Sequence, residues 1–173
     1  MSTVLGVACA GGVVLAGDRV AVSQGQVRSR SRRHVFDFGR VGAAVMAADV
    51  DGFADRLSGD VRAYRTERGD LGIDPFTRLA SDLADEFDAS TVLAAPGDDG
   101  PCLRGVTADG GVTTDDVAAF GSGASVALGA LEAGHDPDAT LDETTALARD
   151  ALSAAAERDA GTGTEFDVYR LPA

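Results

Sequence analysis

Apolar and polar positions along the 173 residues fall into strand-like runs and helix-like stripes. Val4 to Cys9 and Val13 to Ala16 are short, almost continuous apolar runs on either side of a Gly11-Gly12 turn, which predicts two paired strands. Val20 to Val27 extends this region around a second turn at Gly25. Val35–Phe38, the turn Gly39-Arg40 and Val41–Ala47 read as another hairpin. Its small residues Gly42, Ala43, Ala44 and Ala47 predict close packing beneath another layer. Ser90–Ala95 and Cys102–Val106 are strands around a turn over 96–100. Asp109-Gly110-Gly111 then leads into Val112–Thr114 and a segment running to Phe120, and Phe166–Leu171 is the last strand.

Helical spacing occupies two intervals. Between Asp49 and Arg68 it places Phe53, Leu57, Val61 and Tyr64 on one face. Asp74-Pro75 predicts the start of a second helix, a cap followed by proline at the first helical position, burying Phe76, Leu79, Leu83 and Phe87. Gly121-Ser122-Gly123 opens a third helix ending at Gly134. Thr140-Leu141-Asp142-Glu143 has the form of a capping box and launches a fourth, to about Arg158. The order is strands, two helices, strands, two helices, strand. On pattern alone that is an α+β chain, of a length suited to one domain over 1–173.

Composition narrows the chemistry. The net charge is −13, from 22 Asp, 6 Glu and 15 Arg, with no Lys. An acidic, Asp-heavy chain of this kind suits a salt-loving organism, where high ionic strength screens self-repulsion; a GC-rich genome would also replace Lys with Arg. The acidity argues against non-specific nucleic-acid binding. A Walker phosphate loop, a pyridoxal Schiff base and a lysine-dependent aldolase site are excluded, since each needs a lysine. No apolar run reaches membrane-spanning length and no basic, apolar leader precedes the first strand, so the cytoplasm is the expected location. Cys9 and Cys102 are expected to be reduced thiols in the core. With two histidines, His34 and His135, no Cys/His cluster has metal-ligand spacing, and neither metal nor cofactor is expected. Arg28, Arg30 and Arg32 alternate with Ser, which predicts one arginine face on an extended chain: a solvated or ion-paired edge near Asp residues, or a contact for an anion or partner.

The start of the chain holds the strongest candidate chemistry. Removal of Met1 would leave Ser2 with a free α-amine and a hydroxyl. An amine with a pKa near 8 can serve as base at neutral pH and the hydroxyl as nucleophile. The first turn would bring Asp18 back beside Ser2. Taken singly, Asp18-Arg19 suits a turn ion pair, Gly121-Ser122-Gly123 a helix cap, and His34 a core or edge histidine. Gly123 to Ala127 nearly matches a nucleophile elbow, but only His135 follows it to complete a triad.

The stretch Ser2 to Arg19, with its Gly-Val-Val-Leu-Ala run into Asp18-Arg19, resembles the start of a proteasome β subunit, and the likeness continues along nearly the whole chain. The resemblance implies a four-layer αββα sandwich, two antiparallel sheets between helix pairs, of the N-terminal-nucleophile hydrolases. It places the nucleophile at Ser2 in place of threonine, the orienting acid at Asp18, the Gly-Ser-Gly serine at Ser122, the late acid at Asp159 and the late serine at Thr162, which keeps the hydroxyl. Two further departures from the family bear on the chemistry. Its lysine falls on His34, which beside Asp18 would be charged, or beside the amine would stay neutral and act as base. Its oxyanion-hole glycine falls on Ala47 or its neighbour Ala48, where the added methyl matters if that backbone needs a positive φ or if it fills the substrate groove. In length the chain is nearer to the bacterial ATP-dependent relative of the proteasome than to archaeal-type β subunits, and no propeptide is expected before Ser2. Three activities follow: a peptidase acting on polypeptide within a ring homo-oligomer or proteasome-like assembly, a non-catalytic homologue with an assembly role, or an amidase for a small amide.

Overall fold

A computed structural model describes residues 1–173. The first two strands, β1 (Thr3–Cys9) and β2 (Gly12–Asp18), pair antiparallel around a two-residue Ala10-Gly11 turn, so Gly12 opens β2 instead of lying in the loop. β3 (Ala21–Ser23) and β4 (Gln26–Ser29) form a separate small hairpin. β5 (Val35–Asp37) and β6 (Gly42–Met46) follow, then helices α1 (Val50–Arg68) and α2 (Ile73–Phe87). β7 (Ser90–Gly97), β8 (Gly100–Val106), β9 (Val112–Thr113) and β10 (Val117–Gly121) lead to α3 (Ala124–Gly134), α4 (Leu141–Arg158) and β11 (Phe166–Pro172).

Two antiparallel sheets stack face to face, one ordered β10-β1-β2-β11 and the other β5-β6-β7-β8-β9. α3 and α4 cover the first sheet, and α1 and α2 the second, which makes the four-layer αββα sandwich. Three apolar layers follow. Val4, Leu15, Val92 and Leu103 meet between the sheets. Phe53, Leu57, Phe76 and Leu93 join α1 and α2 to the second sheet. Leu5, Val14, Leu131 and Leu152 join α3 and α4 to the first. The central strands, such as β1, β2 and β7, each supply two of these layers because their side chains alternate between faces.

Most of each helical stripe is buried, Phe53, Leu57 and Val61 on α1 and Phe76 and Leu83 on α2, while Tyr64, Leu79 and Phe87 are only half-buried against the same core. Asp49 caps α1 by accepting the Gly52 N–H at 2.9 Å. The predicted start of α2 is corrected. Gly72 is the cap and Ile73 the first helical residue, so Pro75 stands third. Proline is tolerated there because the first-turn N–H groups have no helical partner. The capping box of α4 is present in both directions, Glu143 N–H to Thr140 Oγ1 at 3.2 Å and Thr140 N–H to Glu143 Oε2 at 2.8 Å.

Three further expectations change. The segment after Val112 divides between the sheets: β9 pairs with β8, whereas β10 crosses to pair with β1. The arginine row is not one face either, since β4 ends at Ser29 and the chain turns there. Cys9 and Cys102 are unpaired thiols but only half-buried, Cys102 against the core that α1 and α2 share with the second sheet.

Candidate active site

Five chain segments converge at one end of the first sheet, where Ser2 precedes β1 and Asp18 closes β2. Pairing of β1 with β2 leaves these two residues side by side. Ser2 Oγ donates a hydrogen bond to Asp18 Oδ1. Both side chains are buried, Ser2 at 1% exposure and Asp18 at 0%. A fully buried carboxylate has to be satisfied locally. Asp18 is: Oδ1 also accepts the Thr3 N–H at 2.7 Å, and Oδ2 accepts the N–H groups of Val20 at 2.9 Å and Gly163 at 2.8 Å. No cation touches it. Arg19 points away from Asp18 and pairs with Asp167 on β11, with Nε 2.9 Å from Oδ1. The simple Asp18-Arg19 turn pair is therefore absent.

His34 arrives on the segment leading into β5 and is 3% exposed. Its Nδ1 lies 2.7 Å from the Asp18 carbonyl oxygen and 3.3 Å from Ser2 Oγ. A carbonyl can only accept, so the proton is on Nδ1 and Ser2 has no basic nitrogen there to give a proton to. Burial pushes the His34 pKa below the usual histidine value and outweighs the hydrogen bond and charge of Asp18; Arg32 and the α-ammonium push the same way as burial. The ring is neutral, against the charged alternative, and with its proton on Nδ1 it offers Ser2 no base; Asp18 fixes it through the backbone carbonyl.

A second acid stands on the other side of Ser2. Asp159 is the C-cap of α4, and its Oδ2 accepts from Ser122 Oγ and Thr162 Oγ1, each at 2.6 Å. Burial raises the Asp159 pKa, but those two hydroxyls, the Gly161 N–H and the α-ammonium together hold it below the usual carboxylate range. Ser122 also ties the group to the chain start, its N–H donating to Ser2 O at 3.0 Å. Thr3 belongs to the same network and had no separate signal in the sequence beyond being a hydroxyl next to Ser2. Gly123 N–H donates to Thr3 Oγ1 at 2.9 Å, and Thr3 Oγ1 lies 2.8 Å from Thr162 Oγ1. With the Thr162 proton directed to Asp159, the Thr3 hydroxyl donates to Thr162, and the chain runs in one direction to the carboxylate. A β-carbon on Gly123 would stand 2.6 Å from Thr162 Oγ1 and 2.8 Å from Thr3 Oγ1, so this crossing admits only glycine.

Ala47 follows β6 and lines the same pocket of about 290 Å³ as Ser2 and His34. Its φ is not positive, so the alanine methyl introduces no backbone strain. Met1 closes the site, donating its α-ammonium to Val22 O at 2.6 Å and accepting the Val22 N–H at 3.3 Å. No cluster of His, Cys, Asp or Glu could hold a metal ion. No helix is long and apolar enough to cross a membrane.

The family model described as proteasome subunit matches residues 1–171. The chain belongs to the proteasome subunit family. A proteasome subunit beta from Halorubrum lacusprofundi is 30% identical over 174 residues, covering 96% of this chain and 72% of that protein. Proteasome subunit beta 1 of Haloarcula marismortui is 32% identical over 170 residues, covering 94% and 71%. Proteasome subunit beta of Methanobrevibacter ruminantium is 29% identical over 176 residues, covering 98% and 85%. The first two relatives come from halophilic archaea, in keeping with the acidic, lysine-free composition. The four-layer fold and the proteasome-like character inferred from the chain start are those of this family.

Proposed function

We propose that this proteasome-family chain is an N-terminal-nucleophile endopeptidase in which Ser2 attacks the peptide bond. The observation that carries the reading is the buried Ser2–Asp18 hydrogen bond, with the hydroxyl network of Asp159 on the other side of the same residue. With Met1 attached, the Ser2 nitrogen is an amide and no base. Removal of Met1 converts it to an amine of ordinary pKa near 8. Ser2 Oγ then bonds to the substrate carbonyl carbon and its proton passes to that amine. The oxyanion is stabilised by the backbone N–H of Ala47. Collapse breaks the C–N bond, and the amine's proton goes to the leaving nitrogen. Water, deprotonated by the same amine, hydrolyses the ester.

Asp18 aims the hydroxyl, and neutral His34 positions Asp18 and Ser2 without taking the proton. Ser122, Asp159 and Thr162 hold the negative potential that keeps the amine in place. Assembly into a ring or proteasome-like particle, with polypeptide as substrate, is part of this reading, as is action in the cytoplasm by the whole 1–173 unit as one domain. A non-catalytic assembly role is the competing reading. The two hydrogen bonds between Met1 and Val22 support it, because they hold the cap in place.

Two measurements decide between them, and a third tests the assembly that both imply. Mass analysis of the purified protein should find Ser2 at its start. A β-lactone should label wild type and leave Ser2→Ala unlabelled. Sizing in molar salt should give a multimer. Retention of Met1, or equal labelling of both proteins, would overturn the peptidase reading.

A further inference from the structure

His34 has two ring nitrogens, and the fold uses one of them. Nδ1 carries the proton that goes to the Asp18 carbonyl at 2.7 Å, and it lies 3.3 Å from Ser2 Oγ. Nε2 is therefore the unprotonated nitrogen, with a lone pair that accepts and no hydrogen to give. It has no hydrogen-bond partner in the protein, although the residue is only 3% exposed. No fully enclosed polar side-chain atom is left unsatisfied in this fold, so Nε2 opens onto free space, and the cavity that His34 lines is the Ser2 pocket. The partner that Nε2 needs is a donor. Little else on the pocket wall competes for a donor's hydrogen. Arg28 and Arg32 only donate, and apart from Ser2 and Ser23 the other lining side chains are apolar. A nearly buried acceptor beside the nucleophile is thus left for a group that enters from outside.

We infer that His34 Nε2 holds the water that releases the acyl group from Ser2, which makes His34 a catalytic residue of the second half of the reaction only. This role rests on the proposed peptidase. Once the leaving amine has gone, the acyl carbon is bonded to Ser2 Oγ, and Nδ1 already lies next to that oxygen. Nε2 is on the same ring, one carbon from Nδ1, so a water donating to it stands beside the ester. One O–H of this water points at Nε2 and stays intact. The other gives its proton to the Ser2 amine as the oxygen bonds to the acyl carbon. The tetrahedral carbon then expels Ser2 Oγ, which takes the proton back from the amine, and the carboxylic acid departs. Two acceptors thus fix both hydrogens, and the attacking lone pair faces the carbon. Burial keeps Nε2 free for this task, because it holds the His34 pKa below the usual histidine value and a protonated Nε2 would turn the water around. The charged lysine that the resemblance places at this position has donors only, so it could not hold a water in this orientation.

An acetyl-tripeptide 4-nitrophenyl ester separates the two stages, since it acylates fast and leaves hydrolysis to set the steady rate. Met1-free protein in molar KCl should release a burst of one nitrophenol per Ser2 and then turn over slowly. His34→Asn keeps an amide N–H where Nδ1 stands and removes Nε2. Its burst should match wild type, and its steady rate should fall about a hundredfold. His34→Gln carries its amide oxygen out to the Nε2 position and should regain most of that rate. Hydroxylamine, which cleaves the ester without being oriented by the protein, should clear the acyl group from wild type and His34→Asn equally fast. Absence of a burst in wild type, as in Ser2→Ala, would remove the peptidase and this role with it. A burst in every protein with steady rates unchanged in both His34 variants, or loss of the burst itself in both, would overturn the water site and leave the peptidase standing.

Discussion

Two carboxylates flank Ser2, and they are held in different ways. Asp18 is buried and takes three of its four hydrogen bonds from backbone N–H groups, on β1, after β2 and in the loop before β11. Asp159 takes its closest bonds from hydroxyl side chains, Ser122 and Thr162, in a more open setting. Backbone donors stay in place whenever the fold forms, so the Asp18 side depends only on residue 18 keeping two acceptor oxygens. Hydroxyl donors change with the side chain, so the Asp159 side can be rebuilt one residue at a time. Thr162, where the resemblance implies serine, is such a substitution, because threonine retains the hydroxyl.

Substitution at Asp18 should test that contrast most severely. Asp18→Asn replaces an acceptor oxygen with an NH2 that must face N–H donors. The expected loss is on the order of 2–3 kcal/mol in stability, read from denaturant midpoints, together with all labelling of Ser2. Asp159→Ala should instead cost about 1 kcal/mol, since its hydroxyl partners can turn to water, while lowering peptide cleavage by one to two orders of magnitude. Equal destabilisation by the two substitutions would remove the distinction between the sides.

His34 sharpens the same comparison through pH. Its folded pKa is depressed by burial, so the unfolded chain binds the extra proton first as pH falls below about 6.5. The stability it contributes is full above that value and is lost as pH falls through the folded pKa. The melting temperature should drop in that window, and His34→Gln should flatten the drop. An unchanged slope in the variant would mean that other groups cause it. The smallest effect is expected for Thr162→Ser, which retains the hydroxyl linking Thr3 to Asp159; Thr162→Val should cost about 1 kcal/mol by breaking the link at both ends.

Much of this was legible along the chain. The α1 stripe of Phe53, Leu57 and Val61 and the Thr140–Glu143 box depend on neighbours within a turn or two of helix, and periodicity reports such neighbours directly. Asp18 beside Ser2 was legible because a tight turn dictates what its strands place together. The start of α2 was not, because Asp74-Pro75 carries two start signals and the chain used the earlier Gly72. The tautomer of His34 was not, because it depends on the Asp18 carbonyl and on burial, and neither is a property of residue 34.

The sequence by itself determined the elements, their order, the exclusion of lysine chemistry and the chain end on which the site is built, since these follow from local spacing and from which side chains exist. The tertiary structure alone decided that β10 leaves the sheet of β9 to lie against β1, bringing Ser122 to Ser2. It also decided that Thr3 carries a hydrogen bond toward Asp159, that His34 is neutral, and that Arg28 and Arg32 line the pocket beside Ser2 while Arg30 lines a different one. Each of these depends on contacts between residues distant in sequence and on how far water is excluded from them, which the order of residues does not display.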